Sequence, residues 1–130
     1  MINRLNPKQA WDQLQNNPDT VLIDVRSAGE YTFVGHPPTA VLVPWKEAPE
    51  WTINPNFLNQ VEDIVPTKET PVILMCRSGH RSMQAAQALE AAGYTQVANM
   101  DEGFEGDLDD NKQRSNINGW RFHQLPWQQS

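Results

Sequence analysis

The residues best suited to chemistry lie together in Cys76-Arg77-Ser78-Gly79-His80-Arg81-Ser82. A thiol, two guanidinium groups and an imidazole share this one short stretch. A thiolate is a strong nucleophile, and cations beside it favour that form over the thiol. Cys76 and Arg81 are separated by four residues, and Gly79 between them permits positive φ and close approach of backbone to a ligand. Arg77 and Arg81 each offer several N–H donors to oxyanion oxygens. An imidazole such as His80 can act as acid or base near neutral pH, but a thiolate is already deprotonated when it attacks. A substrate-contacting or solvated role for His80 is therefore expected. The bland alternative for Cys76 is a small buried residue ending an apolar strand. Apolar burial would not recruit two arginines and a glycine, which argues for a reactive group.

These residues must be positioned by the elements around them. Pro71 opens the apolar run Val72-Ile73-Leu74-Met75, a strand that leads straight into Cys76. Arg81 to Ala92 has helical composition and Gly93 as its stop. The thiol therefore falls at the C-terminal end of a buried strand, before a helix. Ligands bind at that edge in open α/β sheets. The turn and the helix pole both favour negative charge there. Asn6-Pro7 reads as an N-cap followed by proline at the first helical position, with Ala10, Trp11 and Leu14 on one face. Thr20 to Val25, Ala40 to Val43 and Gln96 to Met100 read as strands, and Phe57, Leu58, Val61, Ile64 and Val65 as a helix ended by Pro66. Arg26 to Tyr31 reads as a loop or one helical turn, and Gly35-His36-Pro37-Pro38 as a rigid turn. The alternation predicts an α/β fold with a mainly parallel central sheet and helices on both faces.

Composition narrows the function classes. The chain has 130 residues, enough for one domain, and its apolar fraction of 38% supports one core. Sixteen acidic against ten basic residues give a net charge of −6, with no basic stripe for nucleic acid. No run approaches a membrane span, and Met1 to Pro7 lacks the pattern of a secretory signal. With one cysteine there is no internal disulfide, and an unpaired thiol suits a reducing compartment, so a cytoplasmic setting is expected. No zinc site is expected without a second cysteine or a histidine cluster. The acidic residues Asp101, Glu102, Glu105, Asp107, Asp109 and Asp110 lack calcium-loop spacing and read as a solvated surface. Trp120 and Trp127 read as apolar anchors for an irregular tail.

The stretch Cys76 to Ser82 resembles the active-site loop of the rhodanese family. Asp24-Val25-Arg26, with Glu30-Tyr31 after it, resembles that family's motif at the end of its first core strand. Gly35-His36-Pro37 is similar to its Gly-His-Ile-Pro turn, with Pro37 replacing isoleucine and Pro38-Thr39-Ala40 departing from the common Gly-Ala. Gly103-Phe104-Glu105-Gly106, Gly119-Trp120 and Leu125-Pro126-Trp127 resemble the closing segment of small bacterial members. The likeness runs from Val21 to Trp127. It implies a single domain over residues 1–130, with residues 101–130 as an irregular closing segment.

The resemblance also implies a reaction. Sulfane sulfur passes from an anionic donor such as thiosulfate onto Cys76, and from that persulfide to a thiol or protein acceptor. Arg77, Ser78, Gly79, His80 and Arg81 would bind the substrate, with no cofactor and no metal. Arg81 has a second candidate role, pairing with Asp24 or Glu30 to fix the loop. Asp24, Arg26 and Glu30 are expected to brace the site from behind. Two rivals remain. A phosphatase or arsenate reductase of related fold would carry one more residue between cysteine and arginine. A sulfur-carrier or regulatory binding module would use the same fold without turnover.

Overall fold

The computed structural model of the protein describes residues 1–47 and 49–130. Its elements are strand β1 (Asn3–Leu5), helix α1 (Pro7–Asn16), β2 (Val21–Asp24), a single π turn (Glu30–Val34), β3 (Val41–Leu42), α2 (Phe57–Ile64), β4 (Val72–Met75), α3 (His80–Ala91) and β5 (Val97–Met100). Every strand pairing is parallel, in the order β1-β5-β4-β2-β3, which places β4 in the middle. Strands covered on both faces read as unbroken apolar runs, and β4 is such a run, buried at all its positions.

Side chains alternate between two layers. Leu22, Ile73, Met75, Ala98 and Met100 face α1, through Ala10, Trp11 and Leu14, together with Phe104 and Trp120. Ile23, Val25, Val72, Leu74, Cys76 and Val97 face the opposite layer, against Phe57 and Val61 of α2 and Ala85, Ala86 and Leu89 of α3. Helices cover both faces, as the alternation of elements predicts. Asn6 caps α1 as expected: its side chain accepts from the Gln9 N–H, and the Gln9 side chain accepts from the Asn6 N–H, each at 2.9 Å.

The structure adds features that the sequence pattern did not predict. β1 is a three-residue edge strand on β5. Residues 30–34 close as a π turn, with the Gly35 N–H donating to the Glu30 carbonyl at 3.2 Å. His36 is buried, exchanges two backbone hydrogen bonds with Gln128 and stacks on Tyr31 at 3.7 Å. Among the described residues, 101–130 contain no helix or extended strand. This segment crosses the C-terminal edge of the sheet, anchored by a fully buried Trp120 whose ring meets Trp11 edge-on at 5.9 Å. Trp127 is half-exposed, yet its ring lies against Gly35, where an added Cβ would fall within 2.6 Å of it.

Candidate active site

Cys76 follows the last residue of β4, and Gly79 caps α3 with φ +112°, a left-handed conformation that glycine adopts without strain. This turn directs the Gly79 N–H onto Cys76 Sγ at 3.0 Å. Ser82, buried in the first turn of α3, donates its hydroxyl to the same sulfur at 3.3 Å. Two donors and the N-terminal pole of a twelve-residue helix thus converge on one sulfur atom. Such an arrangement stabilises negative charge on it. Cys76 is 1% exposed, so the thiol is buried as the bland reading has it, and its sulfur also accepts two hydrogen bonds.

The backbone of the loop is held from the other side by the closing segment. Phe104 N–H donates to the Cys76 carbonyl at 2.9 Å, and the Glu105 and Gly106 N–H groups donate to the Arg77 carbonyl at 3.0 and 3.2 Å. Gly103 makes this approach possible. A Cβ there would lie 2.5 Å from the Arg77 carbonyl and 2.6 Å from that of Cys76.

Arg81 pairs with Glu30 through two parallel hydrogen bonds, Nη1 to Oε1 at 2.8 Å and Nη2 to Oε2 at 2.9 Å. Ser27 adds its N–H and hydroxyl to Glu30 Oε1 at 3.2 and 3.0 Å. Burial acts against the Glu30 carboxylate. The hydrogen bond and charge of Arg81, with the Ser27 bonds, outweigh it and hold the carboxyl at about 2, down from 4.5. The pairing with Glu30 raises Arg81 in turn, against the opposing effect of burial. Asp24 and Arg26 form a separate, fully buried pair at 2.7 Å. Arg26 Nη2 also donates to the Gly35 carbonyl at 2.6 Å, which ties the end of β2 to the following turn.

The loop residues divide between two cavities of about 560 Å³ each. One is lined by Ser27, Glu30, Val34, Trp51, Arg77, Arg81, Glu105 and Arg114. The other takes Ser78, Gly79 and His80, with Arg4, Asn99, Asp101 and Glu102 among its walls. Arg77 and His80 are exposed, and Cys76 lies under the loop rather than on either lining. Asp24 and Arg26 reach neither cavity. Sequence reasoning gave no site role to Ser82, Ser27, Trp51 or Arg114, and it read Glu105 as part of a solvated acidic surface, whereas Glu105 lines the first cavity. The Ser27-x-x-Glu30 spacing and the place of Ser82 in the first helical turn were usable signals. Trp51 and Arg114 lie far from the loop in sequence and had none.

Among the described residues no group of three or more His, Cys, Asp or Glu side chains is arranged to hold a metal ion. Among them too, no helix is long and apolar enough to cross a membrane.

The chain as a whole is similar to known proteins. A crystal structure of a protein from M. tuberculosis superposes with a TM-score of 0.87 at 40% identity, covering 98% of both chains. An uncharacterized protein of Rickettsia conorii is 32% identical over 98% of both chains. The thiosulfate:glutathione sulfurtransferase of Saccharomyces cerevisiae is 30% identical over 65% of this chain and 61% of its own length. Residues 6–110 match the rhodanese-like domain, and the chain belongs to that family.

Proposed function

We propose that this protein is a sulfurtransferase that carries sulfane sulfur as a persulfide on Cys76, with thiosulfate or another persulfide as donor. The observation that carries this reading is the convergence of the Gly79 N–H and the Ser82 hydroxyl on Cys76 Sγ, at the start of α3. The yeast relative named for thiosulfate supports the donor class.

In the first half-reaction the Cys76 thiolate attacks the outer sulfur of thiosulfate. The bond between the two thiosulfate sulfurs breaks, its electron pair leaves with sulfite, and the persulfide anion remains on Cys76. Charge and atoms balance without an external oxidant. Arg77, exposed beside the cleft, meets the oxygens of the dianion and the departing sulfite. Arg81 is held by Glu30 and positions the loop. Cys76 is 1% exposed, so the donor approaches it from the side of the loop on which Arg77 is exposed. In the second half-reaction an acceptor thiolate attacks the outer sulfur of the persulfide, and the Cys76 thiolate returns as leaving group.

The four-residue spacing between Cys76 and Arg81 favours sulfur over a tetrahedral phosphate, and an intact, hydrogen-bonded thiol favours turnover over a purely regulatory module. The single unpaired thiol suits a reducing, cytoplasmic setting. No nucleic-acid or membrane partner enters this reading. Residues 1–130 act in it as one domain, closed by residues 101–130. The test is thiocyanate formation from thiosulfate and cyanide by the purified protein and by Cys76→Ser. Turnover in the wild type and its loss in a folded variant is the expected result. Equal rates in both would overturn the reading.

A further inference from the structure

The π turn that carries Glu30 does not satisfy its own backbone. A helical turn leaves its last carbonyls without local partners, and a lone π turn is a rare conformation that its surroundings must hold. Here five consecutive carbonyls, from Thr32 to His36, accept from donors elsewhere in the chain. The Ser130 N–H donates to Thr32 at 2.9 Å, Gln129 Nε2 to Phe33 at 2.6 Å and Arg121 Nη1 to Val34 at 3.4 Å. Arg26 Nη2 donates to Gly35 at 2.6 Å, and the Gln128 N–H to His36 at 2.9 Å. Every donor but Arg26 belongs to residues 121–130, beyond residue 110 where the match to the family ends. Trp127 seats this strap. Its ring would lie 2.6 Å from a Cβ at Gly35, and it meets Phe104 edge-on at 6.0 Å. Arg121 lies over both rings, 5.3 Å from Phe104 and 5.6 Å from Trp127. The strap thus holds the far end of a turn whose near end presents Glu30 to Arg81.

We propose that Arg121, Trp127 and Gln129 are positioning residues for sulfur transfer, strapping the π turn in the form that keeps Glu30 on Arg81. This rests on the persulfide reading of Cys76. Trp127 and Gln129 line neither cavity beside the loop and touch no reacting atom. They act through the Glu30–Arg81 pair, which joins the π turn to the first turn of α3. That first turn brings the Gly79 N–H and the Ser82 hydroxyl to Cys76 Sγ. With the strap released, the turn relaxes, Glu30 parts from Arg81, and the two donors lose their aim at the sulfur.

The test uses the full chain with Trp127→Ala, Trp127→Phe and Gln129→Ala, and follows the Glu30 carboxyl by carbon NMR. Arg81 and Ser27 hold that carboxyl at about 2 in the strapped protein. It should move toward 4.5 in Trp127→Ala, move less in Gln129→Ala and stay near the wild type in Trp127→Phe. In Trp127→Ala, kcat with thiosulfate should fall about three- to tenfold while KM changes less than about twofold, because Arg77 still meets the donor. Val61→Ala, a truncation in the opposite core layer, should lower the unfolding midpoint and leave the Glu30 titration in place. Gln129 is exposed, so its variant folds and gives a reading even where Trp127→Ala does not. A Glu30 titration unmoved in the folded variants would overturn the proposal, as would a shifted titration with kcat unchanged. Failure of the wild type to load sulfur on Cys76 would instead overturn the sulfurtransferase reading, and the Glu30 titration would still decide whether the strap holds the turn.

Discussion

Arg81 meets Glu30 through paired hydrogen bonds of 2.8 and 2.9 Å, joining the first turn of α3 to the π turn that follows β2. The consequence is a division of labour between the two loop arginines. Arg81 is fixed and neutralised, while Arg77 stands exposed with its charge available to an anion.

That division predicts a pH signature. The Glu30 carboxyl is depressed on folding, so its contribution to stability is complete above the unfolded value of 4.5 and is lost as pH falls through about 2. Urea unfolding across this window should show wild-type stability declining with acid, and Glu30→Gln should show a flatter dependence. Parallel curves for the two proteins would mean that the pair contributes no pH-dependent stability.

Arg77→Ala should lower kcat/KM for thiosulfate about tenfold, the loss of an exposed charge-assisted contact, and change the rate with a neutral persulfide donor much less. High salt should weaken thiosulfate use in the wild type more than in the variant. Steady-state kinetics with both donors at two ionic strengths checks this. Equal losses would assign Arg77 to loop shape.

Ser82→Ala removes one of the two donors to Cys76 Sγ and leaves no other group unpaired. Sulfur transfer should fall by about three- to tenfold with the unfolding midpoint nearly unchanged, the loss of a single hydrogen bond to a charged atom. A variant as active as the wild type would leave Gly79 as the donor that matters.

Gly103→Ala tests the clamp between the closing segment and the loop. Its φ of +71° and the 2.5 Å approach to Arg77 leave no room for a methyl group. Destabilisation of about 1–3 kcal/mol in urea unfolding is expected, with reduced sulfur transfer by the fraction that folds. An unperturbed midpoint would show that residues 101–106 can move away from the loop freely.

The parts of this site that were legible in the sequence are local ones. The run Val72–Met75, the stretch from Cys76 and the helix behind it follow from strand composition, Gly79 and helix propensity within two dozen residues. The two possible roles of Arg81 were also legible, though the choice between Asp24 and Glu30 as partner depended on the π turn, which pattern reasoning read only as a loop or one turn. What escaped was non-local. β1 is short and polar, and it is a strand because β5 offers it an edge. The clamp from Phe104, Glu105 and Gly106 is made by backbone N–H groups, which carry no side-chain signature. Arg114 and Trp51 reach the cleft by the course of long loops rather than by any spacing.

The central claim is that Cys76 receives sulfur, and intact-mass measurement after incubation with thiosulfate tests it most directly. One added sulfur, about 32 Da, should appear on the wild type, map to Cys76 and disappear on treatment with a reducing thiol. An unchanged mass in protein shown to be folded, or the same gain in Cys76→Ser, would contradict it.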